Sequence, residues 1–222
     1  IAGKILYILK ADLKLLRVAR RFKPDLFLSF ASTYAAHVSK LCGKPHIALD
    51  DTEHAKLELF MYPPFTDVIV NPSSFQKRFS RKQIFLNSFF ELSYLHPAYF
   101  TADPEIPAIY DLDISRPYFI LRFVSWTASH DIGARGINNA LKAELVRTLA
   151  HSGRVIISAE GQIPSEFEKF RAHLKPEHLH HLLAFASLYI GEGATTASEC
   201  VALGTPAIYV NSLDAGTLQE QA

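Results

Sequence analysis

Short apolar runs, each closed by a small polar turn, alternate along this chain with stretches of helical period. No other feature constrains the fold as much. The runs fall at 26–30, 45–50, 67–74 and 83–89, and again at 118–124, 154–160, 187–191 and 206–210. Helical stretches are expected at 4–22, 33–43, 75–80, 137–150, 164–172 and 196–203. Most of the runs are apolar at successive positions, so both faces of each strand need cover. That pattern predicts parallel sheets with helices on both sides.

The alternation fails once. "ELSYLHPAYFTADPEIPAIYDLDISRP" (91–117) holds four prolines and no sustained period. It reads as a linker, 92–117, between an N-terminal domain, 1–91, and a C-terminal domain, 118–222. The fold class is therefore α/β, with two Rossmann-like domains built on parallel sheets. The sequence has a single methionine, Met61, and opens and closes in mid-pattern, so it is expected to be a fragment truncated at both ends.

Composition removes several function classes. Of 222 residues, 23 are Lys or Arg and 22 are Asp or Glu, well mixed, with no basic stripe of the kind nucleic acid requires. No apolar run reaches the ~18 residues of a membrane span. The basic helix 4–22 can rest peripherally on a membrane surface or pack one face, carrying Ile5, Leu9, Leu13, Leu16 and Ala19 or Arg20, on the sheet. Cys42 and Cys200 both lie in helical patterns and read as buried free thiols, which points to a reducing, cytoplasmic setting.

Ligands of such folds lie beyond the carboxyl ends of the strands. Four turns occupy those positions. "YIGEGATTASEC" places Gly191 and Gly193 where a backbone must approach a ligand, tolerating positive φ. Thr195, Thr196 and Ser198 follow at a helix start suited to phosphate oxygens. Glu199 has two compatible readings: the far end of a capping box begun by Thr196, or an acceptor for ribose hydroxyls. "RFVSWTASHDIG" contains Arg122 inside an apolar strand, where a guanidinium should find a carboxylate or phosphate. Its loop brings Ser129 and His130, the latter a general acid or base or a partner of Asp131. "LDDTEHA" crowds Asp50, Asp51, Glu53 and His54 at one strand end. Mutual repulsion there suits acid and base work, whereas helix capping needs one of them. "LSFAST" offers Ser29, Ser32 and Thr33, a polar loop or an ordinary N-cap. His178, His180 and His181 in "PEHLHHLL" have poor metal spacing and, Glu177 apart, no acidic or thiol partner nearby in sequence, so no metal site is expected.

The phrases "DDTEHA", "RFVSWTASHDIG" and "YIGEGATTASECVALGTPAIYVNS" resemble those of an uncharacterised prokaryotic family with the glycosyltransferase-B fold, distantly similar to UDP-N-acetylglucosamine 2-epimerases. The resemblance implies a UDP-sugar held in an interdomain cleft, with glycosyl transfer or epimerisation in surface-polysaccharide metabolism. It assigns Gly191, Gly193, Thr195 and Thr196 to the nucleotide diphosphate and Glu199 to the ribose; Arg122 and Ser129 are expected to join the same nucleotide site. Glu53, Asp51 and His130 would carry the chemistry. No cofactor is implied; the partners are a nucleotide-sugar and an unidentified acceptor. Two departures separate the chain from epimerases. No glycine follows the acidic turn, and no arginine follows His130. A catalytically inactive nucleotide-sugar-binding relative and a two-domain solute-binding protein are the alternatives.

Overall fold

The computed structural model describes residues 2–53, 55, 57–124, 137–159, 161, 163–211 and 216–221. The chain divides into two compact units, Ile1–Phe89 and Phe90–Ala222. The proline-rich segment 92–117 is thus grouped with the second unit.

In the first unit, helix α1 (Ala2–Phe22) precedes β1 (Phe27–Phe30), α2 (Thr33–Cys42), β2 (His46–Leu49), the short α3 (Glu58–Met61), β3 (Val68–Pro72) and β4 (Gln83–Leu86). The four strands pair in parallel in the order β1-β2-β3-β4. Helix α2 has clear local causes. The Ser32 hydroxyl accepts from the Ala35 amide at 3.3 Å, and Gly43 closes the helix at φ +63°. Ala36, Ala48, Tyr62 and Ile69 form the buried centre.

Two expectations fail in this unit. No helix spans 75–80; the segment is irregular. The side-chain carbonyl of Gln83 accepts from the amides of Phe79 and Ser80 at 2.8 and 3.0 Å, and Arg78 donates to the Phe75 carbonyl at 2.6 Å. Side chains there satisfy backbone groups that a helix would pair internally. On α1, the expected apolar face is buried only toward its end: Leu9 and Leu13 are each 55% exposed, Leu16 is half-buried and Ala19 is buried. This helix packs against α2 rather than onto the sheet, and Asp12 meets His37 Nδ1 at 2.9 Å in that contact. On β1, Leu28 and Phe30 are also exposed.

The second unit comprises α4 (Leu92–Leu95), β5 (Tyr118–Phe123), α5 (Asn139–Ala150), β6 (Arg154–Ala159), α6 (Leu179–Phe185), β7 (Leu188–Gly191), α7 (Ala194–Leu203), β8 (Ala207–Tyr209) and α8 (Gly216–Gln221). Its sheet is parallel throughout, in the order β6-β5-β7-β8. Strand β5 shows the two-residue period of a sheet buried on both faces. Tyr118 and Ile120 enter one cluster with Leu182, Leu183 and Cys200; Phe119, Leu121 and Phe123 enter another with Val146 and Phe167. The expected helix at 164–172 is a 3-10 segment, Ser165–Phe170. Helix α6 was not foreseen. Among the described residues, no helix is long and apolar enough to cross a membrane.

Candidate functional site

The order of the second sheet locates its ligand edge. From β5 the chain goes out to β6 on one side, then returns to β7 on the other. The crossovers diverge between β5 and β7, which leaves a crevice beyond their carboxyl ends. Arg122 and Gly191 face each other in register at that end. Arg122 is half-buried and donates to the Ser158 hydroxyl at 3.2 Å on β6. The first sheet runs in simple sequence order, with no such reversal among its described strands.

Glu192, which follows β7 directly, dominates this crevice and was not singled out from the sequence. Its side chain is fully buried. One carboxylate oxygen accepts from the Val124 amide at 2.9 Å, and the other from the Ile137 amide at 2.7 Å. Lys142 Nζ stands 4.0 Å away. The Glu192 amide donates to the Arg122 carbonyl at 3.2 Å, and its own carbonyl accepts from Asn211 at 3.2 Å. One residue therefore joins β5, β7 and the chain after β8. It also holds the positions on both sides of 125–136. Ser129, His130 and Asp131 lie outside the described residues, as does His54. The signal for Glu192 was a lone carboxylate between two glycines at a strand end.

The glycines act through space rather than through unusual dihedrals. Among the described residues, the glycines at positive φ are Gly43 and Gly204, so the expected positive φ is not found at Gly191 or Gly193. At Gly191 a Cβ would stand 2.1 Å from the Tyr189 hydroxyl, because that ring folds back over the strand end. At Gly193 a Cβ would meet nothing nearer than 4.0 Å. Gly193 is the N-cap of α7, at φ −94° and ψ 119°, and no side chain caps the helix. The capping box between Thr196 and Glu199 therefore does not form: α7 begins two residues earlier than expected, placing both inside the helix. Its first-turn N–H groups lack intrahelical acceptors and carry the positive end of the helix dipole. Thr195 is exposed beside them and Thr196 is buried.

One turn further along, Glu199 is buried, and its Oε1 accepts from the Tyr94 hydroxyl at 3.1 Å and from His180 Nε2 at 3.0 Å. A proline-rich segment with no period thus supplies a partner for a residue of the candidate site. His180 has an acidic partner after all, brought to it from 19 residues away by the packing of α6 on α7.

In the first unit, the acidic turn after β2 is tightly organised. Asp50 is buried; it accepts from the Tyr62 hydroxyl at 2.6 Å and from the Thr52 amide at 2.9 Å. Burial pushes its carboxyl up to about 6, against the opposing pull of those two donors. Asp51 is half-buried and accepts from the Thr52 hydroxyl at 2.9 Å. Glu53, also half-buried, accepts from the Gln76 amide, while its carbonyl accepts from Lys77. None of these residues caps a helix: α3 starts at Glu58 without a side-chain cap. Ser32, by contrast, is the ordinary N-cap of α2, and Ser29 hydrogen-bonds the buried His46 at 2.9 Å.

No protein-family model and no curated protein matches the chain. Solved structures match it in fold. The UDP-GlcNAc 2-epimerase of Methanocaldococcus jannaschii, in complex with UDP-GlcNAc and UDP, aligns over 91% of this chain and 64% of its own, with TM-score 0.61 and 11% identity. The UDP-N-acetylglucosamine 2-epimerase of Rickettsia bellii aligns over 90% of this chain and 60% of its own, with TM-score 0.61 and 16% identity. The spinosyn rhamnosyltransferase SpnG aligns over 94% and 62%, with TM-score 0.54 and 15% identity. The likeness is one of fold: two parallel α/β units of the glycosyltransferase-B type. The chain spans 60–64% of the length of these three neighbours.

Proposed function

We propose that the second unit binds the nucleoside diphosphate of a UDP-sugar at the carboxyl ends of β5 and β7, and that the protein transfers or epimerises the sugar. The observation that supports this best is the uncapped start of α7 behind Gly193, at a topological switch point, with the buried carboxylate of Glu199 one turn further on. Backbone N–H groups and the helix dipole there suit diphosphate oxygens. In this reading Gly191, Gly193, Thr195 and Thr196 take the diphosphate, with Arg122 and Ser129 nearby, and Glu199 takes the ribose hydroxyls. The same N–H groups would stabilise a diphosphate leaving group as negative charge develops on it. Two of the fold neighbours are UDP-sugar epimerases and one is a glycosyltransferase, which supports the substrate class at the level of fold.

The chemical step is proposed to use Asp51, Glu53 and His130. In transfer, one carboxylate takes the proton of the acceptor hydroxyl as that oxygen attacks the anomeric carbon and the bond to the diphosphate breaks. In epimerisation, one group removes a proton from the sugar carbon and a second returns it on the opposite face. Glu53→Gln and His130→Ala should then lower turnover while UDP affinity stays within about tenfold.

A thermal-shift screen of full-length protein with UDP, GDP, CMP and their sugars tests the binding claim. A uridine nucleotide at a hundredfold excess over its dissociation constant should stabilise the protein by ~2.7 kcal/mol. If no nucleotide raises the melting temperature, the reading fails. Binding without turnover would favour the inactive relative.

A further inference from the structure

We propose that Tyr94 and His180 are specificity-determining residues that hold the Glu199 carboxylate for the ribose hydroxyls, so that the site selects ribonucleotides over deoxyribonucleotides. The inference rests on the nucleotide reading above and concerns the same site.

Both donors end on the same oxygen. Oε1 accepts from Tyr94 at 3.1 Å and from His180 Nε2 at 3.0 Å. An ionised carboxylate accepts and cannot donate, so Nε2 carries the proton in this contact. Each carboxylate oxygen has about two lone-pair positions. Two donors therefore fill Oε1 and leave the acceptor capacity of Oε2, which takes no hydrogen bond from the described residues. A ribose offers two vicinal hydroxyl donors, and a fixed, half-filled carboxylate is a matched acceptor for them.

The donors also fix where the carboxylate points. Tyr94 comes from α4 and His180 from α6, so two separate elements hold one oxygen of a residue on a third. The imidazole is itself held, lying 5.6 Å from the Tyr94 ring at an interplanar angle of 37° and 6.1 Å from the Phe100 ring at 86°. Aromatic neighbours in edge and tilted arrangements restrict rotation of the ring between them. A buried carboxylate that served the fold alone would be satisfied best by donors on both oxygens, as Glu192 is by the Val124 and Ile137 amides. Glu199 is instead saturated on one side, and the asymmetry is what a ligand contact requires.

The decisive measurement is the ratio of affinities for UDP and for its 2′-deoxy and 3′-deoxy forms, by isothermal titration of full-length protein. The wild type should prefer UDP by roughly tenfold or more over at least one of the deoxy forms, the worth of a hydrogen bond to a charged group. Tyr94→Phe and His180→Leu should each reduce that ratio by about threefold or more. His180→Gln, which keeps an N–H donor at similar reach, should retain most of it. Loss of packing alone would weaken UDP and its deoxy forms alike and leave the ratio unchanged. Folded variants that discriminate as the wild type does would overturn the proposal. So would a wild type that binds UDP and its deoxy forms equally, in which case the nucleotide reading still stands. No UDP binding at all would remove both. Should one variant fail to fold, the other carries the same comparison.

Discussion

Three residues, Glu192 and Gly191 in the second unit and Asp50 in the first, each carry a different kind of cost. Glu192 satisfies two backbone amides, that of buried Ile137 and that of half-buried Val124. Removing it in Glu192→Ala strands both, at ~1–3 kcal/mol each. A fall in the denaturant midpoint at unchanged m-value, corresponding to about 2–6 kcal/mol, would show it. Glu192→Gln should be nearly as harmful, because the amide nitrogen would face an N–H. Gly191→Ala should destabilise by ~1–3 kcal/mol, since the new methyl would meet the Tyr189 hydroxyl at 2.1 Å. Asp50 has a folded-state pKa raised to about 6 by burial. The unfolded carboxyl titrates near ~3.9, so between about pH 4 and 6 the folded state binds more protons. Stability should therefore fall as pH rises through that window, by as much as ~3 kcal/mol, and Asp50→Asn should flatten the slope. Urea titrations at pH 4.5 and 6.5 decide this.

At the scale of elements, α7 ties local structure to function with opposite signs. Gly193 has the dihedrals of an ordinary N-cap but no side chain to do the capping. Gly193→Ser should raise stability by a few tenths of a kcal/mol through a cap bond. It should lower UDP affinity, because the added side chain enters the open space beyond the helix. Gly193→Val lacks the cap and should lose the affinity without the gain. Melting curves and titrations on the same samples separate the two effects. These elements also mark how far the sequence could be read. Period and turn chemistry showed the strands, half of the α-helices (α1, α2, α5 and α7) and the glycine turn, because each depends on neighbours in the chain. Three things were hidden. The segment 75–80 looks helical, but the side chains of Gln83, beyond it, and Arg78, within it, satisfy its backbone. Glu192 looks like a loop carboxylate; its role depends on Val124 and Ile137, which are remote in sequence. Tyr94 stands in a stretch without period, and its partner Glu199 is over a hundred residues on.

At the scale of the whole molecule, the thiols divide as the chain divides. Cys42 is half-buried at the end of α2 in the first unit; Cys200 is buried in α7 of the second, with its thiol pushed up to about 12 by burial. A thiolate is the reactive form, so Cys200 can meet an aqueous reagent only when its surroundings open. Cys42, half-buried at the end of a helix, depends less on such an event. The two sulfurs thus act as separate clocks, one set into each unit, and no label has to be engineered. In excess reagent, Cys42 should be modified first and Cys200 much later, at a rate governed by opening of the helix that begins at Gly193. If UDP rests on the start of that helix, saturating nucleotide should slow the second phase roughly a hundredfold at a hundredfold excess over its dissociation constant, by mass action. The first phase should keep its rate. Mass spectrometry of the labelled peptides would read both clocks in one reaction and report, unit by unit, which half of the molecule the nucleotide stabilises.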